Sequence, residues 1–291
     1  MKKRDGGNWD LASALLEDGN VEALKRLLAA DPDLGKERDA RGRSLLMLAI
    51  QRGRREIAME LIGASDAKSV NWRGLSALMM AAEAGFVECV EALLPASDPL
   101  AVDLENRSAL MHAARNGQPE AVQALLAASD PLAKNKSGRT ALMMALASYD
   151  ERSALILLPA SNARTEDSDG VCALTIAAAR GMIQAVRRLI PLSNPLSEDC
   201  HGWTALMAAA NEGRIDCVQA LLPVSDTRKK SMVDREDPDT PPQTAAEHAR
   251  NQGYGDIAEL IEGFERAQSE RAELSAGAGA GQAEHGVPLR L

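Results

Sequence analysis

Gly74-Leu75-Ser76-Ala77-Leu78-Met79 decides the fold, because the chain returns to it at a fixed interval. Its core recurs as Ser108-Ala109-Leu110-Met111, Thr140-Ala141-Leu142-Met143 and Thr204-Ala205-Leu206-Met207. Looser copies stand at Ser44-Leu45-Leu46-Met47 and Cys172-Ala173-Leu174-Thr175. Two residues ahead of each copy lies Gly42, Gly74, Asn106, Gly138, Gly170 or Gly202, so each step is 32 residues without a slip. A strict period of this length marks stacked structural repeats.

Each position of the unit has a physical reading. The Gly or Asn predicts a turn with a left-handed backbone angle. The Ser or Thr that follows predicts an N-cap whose hydroxyl accepts from the first helical turn. Leu46, Leu78, Leu110, Leu142, Leu174 and Leu206, each with an Ala three residues on, form the apolar stripe of a short helix. Gly53, Gly85, Gly117, Gly181 and Gly213 end that helix, and Tyr149 takes the place once. A second helix carries Val90, Val122, Val186 or Val218, then paired apolar residues such as Leu93-Leu94. Pro95, Pro159, Pro191 and Pro223 stop it. Neither helix is long enough to stand alone in water, so stability must come from stacking on neighbours.

The unit resembles an ankyrin repeat, whose pattern is D-x-x-G-x-T-P-L-H-x-A-A-x-x-G followed by V-x-x-L-L. It departs in three ways: Ala stands for the Pro, Met for the His, and the unit is one residue short. Loss of the His removes a polar tie between turns, so turn rigidity must come from elsewhere. The resemblance implies an all-α, ankyrin-repeat solenoid of about eight helix-turn-helix repeats with capping units. The expected boundaries are a flexible N-terminus at 1–7, a repeat domain at 8–264 and a disordered Ala/Gly-rich tail at 265–291. A charged, Pro-rich insertion at 227–242 precedes the last repeat and predicts an exposed loop.

Composition narrows the function. Aromatics make up 2% of the chain, so the core must be built from Ala, Leu, Val, Ile and Met. The net charge of −9 argues against nucleic acid or an anionic membrane as partner of the whole surface. Cys89, Cys172, Cys200 and Cys217 have no C-x-x-C spacing and read as reduced thiols. Without an apolar run of spanning length or a signal-peptide h-region, the expected place is the cytoplasm, with no membrane association. No phosphate loop, nucleophile elbow or zinc-protease motif occurs, so the chain is expected to be no enzyme and to need no cofactor or metal. Adjacent Asp199-Cys200-His201 on one turn does not converge on an ion. His112, Cys89, Cys217 and the seven methionines of the first helices read as packing residues.

In arrays of the resembling family, the turn tips and the exposed side of the first helix line a concave binding surface. The corresponding places here lie two and one residues before the turn Gly, one after it, and nine and ten after it. Over the six central units these places hold Arg41, Arg43, Arg52, Arg73, Arg107, Arg115, Lys136, Arg139 and Arg180 against Glu83, Glu105, Asp169 and Glu212. Trp72 and Trp203 fall at turn tips and Tyr149 at the broken helix end, residue types enriched at interface hot spots. Trp72, Arg73, Leu75, Arg107, Arg115, Arg139, Tyr149, His201 and Trp203 are therefore the expected partner-binding residues of a monomeric adaptor or inhibitor. The expected partner is an acidic protein segment. The alternatives are nucleic acid or polyphosphate on the Arg strip, a composite enzyme site in the 227–242 loop or the tail, and a secreted bacterial effector acting on a host protein. The bland alternative for the surface is that the Trp residues pack on neighbouring turns and the Arg residues are merely solvated.

Overall fold

A computed structural model describes residues 7–232 and 241–280, with side chains through 274. The chain divides into two compact units, one ending at Ser168 and one starting at Asp169. The first contains five helix pairs: α1 (Gly7–Asp18) with α2 (Val21–Ala30), α3 (Leu45–Gln51) with α4 (Arg55–Ile62), α5 (Ala77–Ala84) with α6 (Val87–Leu93), α7 (Ala109–Arg115) with α8 (Pro119–Leu126), and α9 (Ala141–Ala147) with α10 (Glu151–Leu157). The second contains three: α11 (Ala173–Arg180) with α12 (Ile183–Leu189), α13 (Ala205–Asn211) with α14 (Ile215–Leu221), and α15 (Ala245–Asn251) with α16 (Gly255–Ala280). No strand is present among the described residues, only isolated bridges such as Val70 to Ser76. No helix among them is long and apolar enough to cross a membrane.

The repeated residues do what their chemistry dictates. Ser44, Ser76, Ser108, Thr140 and Thr204 each accept from the backbone N–H three residues on, at 3.2–3.4 Å. Cys172 lacks a side-chain oxygen and makes no such cap. The leucine and alanine stripe is buried, as are Met47, Met79, Met111, Met143 and Met207. Within each unit first helices pack on first helices and second on second, so each pair buries the apolar face of the next. Met80 and Met144, one residue further round the helix, instead border surface clefts.

Turn rigidity comes from the Asp or Asn three residues before each turn Gly. Asp103 Oδ1 accepts from the N–H groups of Glu105 and Arg107, both at 2.9 Å. Asp39, Asn71, Asn135 and Asp199 close their turns in the same way. Successive turns are then tied tip to tip by backbone hydrogen bonds. In the first unit Trp72 N–H donates to the Arg41 carbonyl at 3.1 Å, Leu104 to Arg73 at 3.3 Å and Lys136 to Glu105 at 3.1 Å. The role left open by the missing His is thus filled by a carboxylate or amide and by main chain.

Tyr149 stands at φ 63°, a left-handed angle that the other repeats give to glycine at this place. A bulky side chain there costs roughly 1 kcal/mol. Tyr149→Gly is expected to raise the thermal midpoint by a few degrees. A lower midpoint would show that the ring contributes packing greater than the strain.

One expectation is corrected. Residues 265–280 are helical, because α16 runs on for 26 residues to Ala280 rather than ending with the repeat. Glu265, Arg266, Ala267, Gln268, Glu270, Arg271 and Ala272 are strong helix formers, so a helix already nucleated by packing on α15 continues through them. The expected disorder of 281–291 and flexibility of 1–6 lie outside the described residues. So does 233–240 of the 227–242 insertion.

Candidate docking surface

The expected site residues separate into two kinds according to their place on the turn. Those two and one residues before the turn Gly stand at its tip, where neither neighbour covers them. Trp72 is 65% exposed, and Leu104, at the same place in the next repeat, is 59% exposed. The tip-to-tip hydrogen bonds set these two apolar side chains on adjacent turns. Leu104 carries neither a ring nor a charge, so the only mark of it in the sequence is the register it shares with Trp72.

The residue one after the turn Gly behaves differently. Its N–H is held by the turn Asp or Asn and its carbonyl accepts from that residue's N–H, so its side chain is drawn back against the repeat. Leu75 is only 4% exposed and forms the floor of a cleft, so it can meet only a side chain that enters that cleft. Arg107 pairs with Asp103 at 2.8 Å, their side chains 12% and 1% exposed. Arg139 reaches the next repeat, donating from Nε to Asp167 Oδ2 at 2.9 Å. Arg43 pairs with Asp39 at 2.7 Å. In the second unit Trp203 is half-buried against the His248 ring, centroids 4.5 Å apart, so here the Trp does pack on a neighbouring repeat. His201, one place before the turn Gly, is exposed.

These pairs alter the electrostatics. Arg43, Arg52, Arg107 and Arg139 are each matched by a carboxylate outside the places counted from sequence: Asp39, Glu17, Asp103 and Asp167. Most of the positive surplus is thereby cancelled. The side chains of Arg41, Arg73, Arg115 and Lys136 make no ion pair among the described residues, and all four are exposed. Among the places counted from sequence, they carry the cationic character that the first unit retains.

Two clefts gather these groups. One, of about 370 Å³, is bordered by Arg41, Trp72, Arg73, Met80 and Glu83 over Leu75. The other, of about 400 Å³, is bordered by Glu105, Arg107, Arg115, Arg139 and Met144. Tyr149, 58% exposed, belongs to the same unit but borders neither. Glu83 is held below the usual carboxylate range, first by its hydrogen bond from His112, then by the charges of His112, Arg73 and Arg107. His112 is buried and also lies 3.0 Å from Asp103 Oδ2, so it joins helix α7 to its own turn.

The clefts are open and shallow, walled by turn backbones that are already saturated with hydrogen bonds, and they bring no nucleophile and base together. Among the described residues no cluster of His, Cys, Asp or Glu could hold a metal ion. The Asp199 carboxylate is spent on its own turn.

A family model described as Ankyrin repeats (3 copies) matches residues 11–103, 96–164 and 147–234. This chain is an ankyrin-repeat protein. The ankyrin repeat is a protein–protein interaction module. A search of curated proteins finds no match to the chain.

Asp39 and Asp103 set an acid limit on the ankyrin turns. Burial pushes both carboxyls up, but hydrogen bonds from the backbone and guanidinium of their partner arginines outweigh it and hold both below their ordinary value. A depressed folded value adds stability above about pH 4, where the unfolded carboxyl ionises, and that stability is lost as pH falls through the folded value. The melting temperature is expected to fall in acid. Asp103→Asn, which keeps the turn acceptor as Asn71 and Asn135 do, should lower stability at neutral pH and flatten the acid slope. A slope unchanged by the substitution would remove Asp103 from the account.

Proposed function

We propose that the protein is a non-enzymatic adaptor or inhibitor that docks a protein segment along the turn tips and inner helix faces of its first unit. The supporting observation is the pair of adjacent exposed side chains Trp72 and Leu104, flanked by the unpaired cations Arg41, Arg73, Arg115 and Lys136. An apolar anchor ringed by cations that outnumber the nearby Glu83 and Glu105 favours a partner with an apolar residue in an acidic setting. Tyr149 is a further exposed contact in this unit. Arg107 and Arg139 serve it by holding the surface in shape. We place the protein in the cytoplasm, where an exposed free thiol such as Cys200 persists.

The test is affinity capture followed by association kinetics, comparing the native chain with Arg41→Ala/Arg73→Ala/Arg115→Ala/Lys136→Ala. The variant should bind the captured protein with an on-rate lowered by roughly tenfold and with less salt dependence. An identical on-rate at low salt would overturn the acidic reading of the partner.

A further inference from the structure

We propose that the first unit reads an extended segment in which one bulky apolar residue stands between two carboxylates, each about three residues away. This rests on the docking reading of the same surface and specifies what that surface selects.

Chain order along the tips sets the pattern. At one end Arg41 and Arg73 border the first cleft, where they outnumber Glu83. In the middle stand Trp72 and Leu104. At the other end Arg115 borders the second cleft, and Lys136 stands exposed on the tip that follows Glu105. The backbone hydrogen bonds from Trp72, Leu104 and Lys136 to the preceding turns make each of these steps a single repeat.

Packed helices lie roughly 8–10 Å apart, so the two clefts, two repeats apart, are separated by about 20 Å. An extended chain advances about 3.3 Å per residue and covers that distance in about six residues, with the apolar pair midway. A helix rises about 1.5 Å per residue and would need about thirteen. The cleft volumes of about 370 and 400 Å³ suit one or two side chains each, which favours the extended form.

Glu105, exposed on the tip next to Leu104, also borders the second cleft, so it disfavours a carboxylate at the centre of the segment and directs one at that end toward Arg115 and Lys136. The pattern reads the same in both directions, so it sets spacing and not polarity.

Selection of random displayed peptides of about fifteen residues on the full chain tests this, with counter-selection on Trp72→Ala/Leu104→Ala. Peptides that depend on Trp72 and Leu104 are expected to carry Asp or Glu about six residues apart around a central Leu, Ile, Phe or Met. A synthetic peptide of that pattern should lose roughly tenfold or more in affinity on Arg41→Ala/Arg73→Ala and, separately, on Arg115→Ala/Lys136→Ala. Tip-dependent peptides lacking the two acids, or spacing them by about thirteen, would overturn this inference while leaving the docking reading intact. If no selected peptide depends on Trp72 and Leu104, both fall.

Discussion

Arg107→Ala is expected to lower the stability of the first unit by about 3–5 kcal/mol, the usual cost of removing one partner from a buried ion pair. Asp103 Oδ2 receives Arg107 Nε at 2.9 Å and Nη2 at 2.8 Å, with His112 Nε2 at 3.0 Å. Its side chain is 1% exposed, so water cannot replace the guanidinium. The same carboxylate holds the turn that α7 starts from, so the loss spreads to the stacking of that helix on α5 and α9. Arg73→Ala is the control: Arg73 is exposed and unpaired, and its removal should change stability by about 0.5 kcal/mol or less. Urea unfolding of the two variants checks the contrast. Equal midpoints would mean that Arg107 is a surface cation after all.

Trp72→Ala should do the opposite, leaving the unfolding midpoint in place and weakening partner binding by about 2 kcal/mol or more, roughly thirtyfold. The ring is 65% exposed, so little packing is lost when it goes. What the turn needs from this residue is its N–H to the Arg41 carbonyl, and alanine keeps that. Its apolar neighbour Leu104 cannot fill the space alone, because the two stand on separate turns. Titration of a captured partner against wild type and variant measures the effect. Unchanged affinity would remove Trp72 as the anchor, and a lowered melting temperature would make it a structural residue.

The fold was legible in the sequence because each repeated residue has a local reason to recur. Ser or Thr caps, Leu and Ala pack, Gly turns and Pro stops, and the structure uses each of them so. The site was legible only in part. Charges were counted at the places the family exposes, but the carboxylates that neutralise Arg43, Arg107 and Arg139 lie elsewhere on the turns or in the next repeat. A count along the chain does not register such pairing. The clue was available, since Asp39, Asn71, Asp103, Asn135, Asp167 and Asp199 recur at one place. A recurring polar residue is a structural one, and an Arg four residues on, as at Arg43 and Arg107, shares its work. Trp203 differs from Trp72 by its place: one after the turn Gly it packs on the His248 ring, whereas Trp72, two before, faces out. The extent of helix α16 is hard to read from sequence, because the Ala-Gly run that ends it carries a loop-like composition directly after strong helix formers.

The separation of tip from frame is tested most directly by photocrosslinking. A photoreactive phenylalanine analogue placed at Leu104, on the turn tips, is compared with one at Leu132, which is 54% exposed on a linker between repeats. The Leu104 position is expected to yield a covalent adduct with a captured partner and the Leu132 position none. Adducts from Leu132 alone would place docking on another face and contradict the account.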